Sequence, residues 1–216
     1  MIAERRRYAD GVATSRTRLA LLVSAILLLG AMVLVLALRP GTGSGDSTAY
    51  KGSMMPPQVP IEEFSLKDEN GKPVTLDSLK GGPSMLTFLF AACTDVCPLT
   101  AQQMRGAMDK LGHDVPAVTI TADPKGDTPE AVRRWLADQR MQGRIRWGLG
   151  SQSQAEAVWK QYGVAGQSAT SDHSSYVFVL DRDGRRCVSW PVSQLTPEGL
   201  AHDLKVLEDN GGRCHT

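Results

Sequence analysis

Apolar and polar positions change their rhythm twice along the chain. Residues 19–38 read LALLVSAILLLGAMVLVLAL, with no charge and with Ser24 as the one hydroxyl. At about 1.5 Å of rise per residue this run spans roughly 30 Å, the depth of a bilayer core, and predicts a transmembrane helix. A secretory signal's apolar region is shorter, about 7–15 residues, and no clear Ala-x-Ala site precedes a polar stretch here, so the reading is an uncleaved anchor. Residues 39–58, RPGTGSGDSTAYKGSMMPPQ, have no apolar period and are rich in Gly, Ser, Thr and Pro. They predict a flexible linker whose roughly 20 residues reach about 25 Å.

From 59 to 216 short apolar runs alternate with helical stripes. Residues 64–66 and 74–76 flank Asn70-Gly71 and predict a hairpin. An apolar run at 85–90 precedes a helix carrying Met104, Ala107, Met108 and Leu111 on one face. A strand at 117–121 leads to a helix after Pro129, with Val132, Trp135 and Leu136 inward and the Asp127/Thr128 pair as its cap. Residues 145–149 predict a strand, and Ala155, Val158, Trp159 and Tyr162 a helix. Strands at 176–180 and 185–190 flank Asp183-Gly184, and a last helix opens at Thr196-Pro197-Glu198 with Leu200, Leu204 and Leu207 as its stripe. The order, a hairpin followed by β-α-β-α-β-α-β-β-α, predicts one α/β domain with a central mixed sheet flanked by helices.

Charge adds a direction. Arg5, Arg6, Arg7, Arg16 and Arg18 outweigh Glu4 and Asp10 in the basic tail at 1–18, and the positive-inside rule puts that tail in the cytoplasm. The domain is then expected in the periplasm or outside the cell, tethered to the membrane by its own helix. A net charge of +1 over the whole chain gives no field to attract nucleic acid, which is excluded as a partner. No cysteine lies between Leu38 and Cys93, so a lipid-modified cysteine after the apolar run is excluded as well.

Four cysteines are too few for a disulfide scaffold, and each is judged by its surroundings. Cys93 and Cys97 lie in Cys-Thr-Asp-Val-Cys-Pro, between an apolar strand and a helix that Pro98 opens. Ligands in α/β sheets bind beyond the carboxyl ends of strands, and a helix N-terminus favours thiolate. The i, i+4 spacing lets both sulfurs share one ion or close as a disulfide. Two thiolates make a soft site; an added imidazole would suit both Cu(I) and Cu(II). Among the histidines His173, in Ser-Asp-His-Ser-Ser ahead of the strand at 176–180, is placed at a loop or sheet edge. His113 and His202 read as surface residues and His215 as a terminal one. Met54 and Met55 are soft donors in principle, but read as tether residues.

Taken together, FLFAACTDVCP, TADPKGDTPE, QYGV and DHSSYVFVLDRDG resemble, in order, the SCO/SenC family of membrane-anchored, copper-binding, thioredoxin-like proteins. The resemblance implies a thioredoxin-like fold and copper ligands at Cys93, Cys97 and His173. It also implies a metallochaperone role in building the binuclear copper centre of cytochrome c oxidase, with that enzyme's copper-bearing subunit and other copper donor proteins as partners. Asp95 and Asp123 match acidic family positions near the site, and read equally as a helix-terminal charge and a turn residue. The chain departs from the family at Ala91-Ala92 and Thr94 beside the first cysteine.

Cys187 and Cys214 have no counterpart in that pattern. In an oxidising compartment they read as a structural disulfide, the Gly211-Gly212 break bringing the tail back; the alternative is a second redox or metal site with His215. Two other functions fit the domain. A thiol-disulfide oxidoreductase would use Cys93 and Cys97 as its redox pair and would not need His173. A peroxidase of the peroxiredoxin type would need Pro and Thr where the chain has Leu86 and Phe90.

Overall fold

The computed structural model describes residues 19–32, 49–56, 62–164 and 176–214. It comprises two compact units, Met1–Ser47 and Thr48–Thr216. In the first, residues 19–32 form helix α1 with its apolar side chains exposed. The expected span of 19–38 lies partly outside the described residues. Among those described, no helix is long and apolar enough to cross a membrane.

In the second unit a six-stranded sheet has the order β1-β8-β7-β4-β5-β6. β4 (Ser84–Leu89), β5 (Ala117–Thr121) and β6 (Arg146–Gly148) run parallel to one another. β7 (Tyr176–Leu180) pairs antiparallel with β4, β8 (Arg186–Pro191) with β7, and β1 (Ser53–Met54) with β8. The sheet is therefore mixed, as the sequence predicts. β2 (Ser65–Lys67) and β3 (Pro73–Thr75) form the expected hairpin, whose turn is held by Asp68 accepting the N–H groups of Asn70 and Lys72.

Period-two alternation assigns the strand side chains to two cores. Met85 and Leu89 of β4 and Val177 and Val179 of β7 pack under α2 (Val96–Leu111), α3 (Pro129–Asp138) and α5 (Pro197–Asp209). Leu86, Phe88, Phe178 and Leu180 face the hairpin and α4 (Gln152–Tyr162). Helix ends follow the sequence: Thr128 caps α3 and Thr196 caps α5, each accepting the N–H three residues on, and Gly163 ends α4 with φ +66°.

Two expectations are corrected. Part of the segment read as linker belongs to the sheet: Ser53 and Met54 pair with Ser189 and Val188, and the Met55 N–H donates to the Cys187 carbonyl at 2.9 Å. What fixes this entry is Asp203, fully buried on α5, which accepts the N–H groups of Lys51 (2.6 Å) and Gly52 (2.9 Å) and the Trp190 indole N–H (2.9 Å). A carboxylate 152 residues away cannot be read from linker composition. Second, α2 begins at Val96, so Pro98 is the third helical residue rather than the first. Its missing N–H is still one of those the helix leaves without an intrahelical acceptor.

Candidate metal centre

β4 ends at Leu89, and its last tie to β5 is the Ala122 N–H donating to the Leu89 carbonyl at 2.8 Å. The chain then turns: the Cys93 N–H donates to the Phe90 carbonyl at 3.1 Å. Cys93 is thereby presented at the carboxyl end of a central strand, half-buried, while Cys97 in the first turn of α2 is 2% exposed. Both sulfurs are unbridged.

The Cys97 N–H donates to Cys93 Sγ at 3.3 Å. Asp95 occupies the N-cap position, yet its exposed carboxylate makes no capping bond. The sulfur of Cys93 instead accepts one of the helix's free N–H groups, where the helix dipole also favours negative charge. Cys97 differs from the sequence expectation of two stabilised thiolates. Burial, followed by its hydrogen bond with Cys93, pushes its thiol well above the ordinary range, against a smaller opposing effect of the Phe90 backbone amide. Desolvation outweighs the helix terminus because this sulfur lies in the core beside Ala101 and Met104. Two adjacent sulfurs, one reachable and one dry, fit a soft metal ion bound as thiolates, with a proton released on binding.

His173 and His215 lie outside the described residues. Among the described residues, no group of three or more His, Cys, Asp or Glu is arranged to hold a metal. Asp123 serves its own turn, accepting the N–H groups of Lys125 (3.3 Å) and Gly126 (3.0 Å). His113 pairs with Glu208 at 2.7 Å on the surface, and His202 lies beside Asp203 at 3.2 Å. Met54 is exposed.

Asp127 was legible only as half of a helix cap. Thr128 does the capping, and Asp127 is buried with its carboxylate turned to the cysteine segment: the Ala91 N–H donates to Oδ1 at 2.7 Å and the Thr121 hydroxyl to Oδ2 at 2.6 Å. Burial pushes its carboxyl up to about 6, against the hydrogen bonds from Thr121 and Ala91 and with help from the nearby charge of Asp123. The signal in the sequence is a surplus: two consecutive cap formers precede Pro129, and a helix needs one.

Cys187 and Cys214 are joined in a disulfide, as expected, with Cα atoms 5.4 Å apart. Gly211 and Gly212 adopt φ of +66° and +78°, and the Arg182 N–H donates to the Gly212 carbonyl at 2.7 Å, which returns the tail to the sheet.

The SCO1/SenC family model matches residues 54–208. A SCO2-like protein of Rickettsia conorii is 28% identical, the match covering 78% of this chain and 86% of that protein. Bradyrhizobium japonicum ScoI with copper bound is 30% identical, with a TM-score of 0.53, covering 67% of this chain and 96% of that one. Arabidopsis thaliana ScoI with copper bound is 25% identical, with a TM-score of 0.62, covering 69% and 99%. The mixed sheet and its flanking helices are thus those of a Sco-type thioredoxin-like fold, and the chain belongs to the SCO1/SenC family.

Proposed function

We propose that the protein is an extracytoplasmic copper metallochaperone, holding copper through Cys93, Cys97 and His173 and passing it toward the binuclear copper centre of cytochrome c oxidase. The observation that carries this reading is the contrast between sulfurs: Cys187 and Cys214 are bridged, while Cys93 and Cys97 stand together, unbridged, at the mouth of a parallel strand pair. Two relatives with that fold hold copper. His173, 76 residues beyond Cys97 and three before β7, supplies the imidazole that admits the oxidised as well as the reduced ion. Transfer follows from exchange of ligands: an incoming thiolate or imidazole replaces the half-buried Cys93 first, because Cys97 is out of reach.

The apolar run at 19–38 anchors the domain, with the arginine-rich tail on the cytoplasmic side and the domain beyond the membrane. Exposed leucines along 19–32 suit a lipid environment. A tether raises the effective concentration of the domain near a membrane-bound recipient. The test is copper content of the full chain beside Cys93→Ser and His173→Ala. One copper per chain, lost in both variants, is expected; retention by both would end the reading.

The alternative, a thiol-disulfide oxidoreductase, draws on the same asymmetry, since an accessible Cys93 would attack and a buried Cys97 would resolve. Activity that survives His173→Ala but not Cys93→Ser selects it.

A further inference from the structure

We infer that Asp127 is a positioning residue for the cysteine pair, fixing through the Ala91 amide the turn that sets where Cys93 presents its sulfur. The inference rests on the copper-binding reading above. Where β4 ends, the ladder to β5 stops at the Ala122 N–H to Leu89 carbonyl bond, and the next free amide is that of Ala91. β5 itself ends at Thr121, opposite Leu89, so the ladder offers this amide no strand partner. Asp127 Oδ1 provides it at 2.7 Å, while Oδ2 is fixed by the Thr121 hydroxyl at 2.6 Å, so the carboxylate cannot rotate away.

Three hydrogen bonds then run in series from this carboxylate to both sulfurs. Asp127 holds Ala91; the Phe90 carbonyl holds the Cys93 amide at 3.1 Å; Cys93 Sγ holds the Cys97 amide at 3.3 Å. The carboxylate is not needed to start α3, because Thr128 accepts the Ala131 N–H at 3.1 Å. Nor is it a surface charge, being 6% exposed. A buried carboxylate is costly and is kept where its hydrogen bonds hold something in place. What this one holds is the bend carrying the first copper ligand.

The test compares four forms of the full chain: wild type, Asp127→Ala, Asp127→Asn and Thr128→Ala. Asn keeps a side-chain oxygen for the Ala91 amide and can still pair with Thr121, so it restores the turn; Thr128→Ala weakens α3 without touching the turn and serves as the structural control. In the metal-free chain, Asp127→Ala should speed hydrogen exchange of the Ala91 and Cys93 amides about tenfold. Loaded with Cu(II), it should bind copper about 10- to 100-fold more weakly against a chelator and shift the sulfur-to-copper absorption band. Asp127→Asn and Thr128→Ala should stay near wild type in all three readouts. Wild-type values in Asp127→Ala overturn the inference, as does global unfolding of Asp127→Ala, or loss in Thr128→Ala equal to that in Asp127→Ala, either of which would make the carboxylate a folding element only. A wild-type chain that takes up no copper would instead remove the function on which the inference rests.

Discussion

The two cysteine pairs share one chain and one chemistry, yet the fold uses them in opposite ways. Cys93 and Cys97 are four residues apart, and a bend followed by the first turn of a helix brings them together. Joining them would close a loop of only a few residues, for which the loop-entropy model gives about 2 kcal/mol. Cys187 and Cys214 are 27 residues apart and tie β8 to the tail after α5. By the loop-entropy model that ring contributes about 3.5 kcal/mol. Separation in sequence thus distinguishes a pair available for chemistry from a pair that serves stability.

The largest effects should break the pairs apart by function. Cys93→Ser or Cys97→Ser should abolish copper uptake, measured as metal content after gel filtration, whereas Cys187→Ser with Cys214→Ser should leave it unchanged. The reverse holds for stability. Losing the Cys187–Cys214 bridge should cost about 3 kcal/mol in denaturant unfolding of the metal-free chain, whereas Cys93→Ser, which removes only a weak sulfur acceptor, should cost about 0.5 kcal/mol.

A smaller or comparable effect sharpens the contrast through pH. The folded carboxyl of Asp127 stands at about 6, above its ordinary 3.8. Its neutral form is therefore the favoured one on folding: the contribution is fully present below about pH 4 and is lost as pH rises through about 6, up to about 3 kcal/mol in all. Stability of the metal-free wild type should fall over that window by an amount that Asp127→Asn removes. The disulfide does not titrate, so the cysteine-to-serine double variant should keep the slope. Copper affinity should rise with pH, since the buried Cys97 thiol is held protonated and must release its proton on binding.

How much of this was legible in the sequence depends on the range of the interaction. Local signals carried through: Asn70-Gly71 and Asp183-Gly184 mark hairpins, and Thr128-Pro129 and Thr196-Pro197 start helices where the structure has them. The cysteine pair was legible too, because spacing and strand-to-helix context are both local. The start of α2 was misplaced by two residues, and the larger omissions are non-local. Asp203 gathers the amides of Lys51 and Gly52 from the far end of the domain, and Asp127 reaches an amide 36 residues earlier. A carboxylate that pairs with backbone N–H groups leaves no complementary charge elsewhere in the sequence to betray it.

X-ray absorption at the copper edge of the loaded full chain tests the account most directly, because it reads the ligand atoms themselves. Two sulfur neighbours and at least one imidazole nitrogen are expected in the wild type, and no copper edge above background in His173→Ala or Cys93→Ser. A copper shell without sulfur, or one that neither substitution alters, would contradict it.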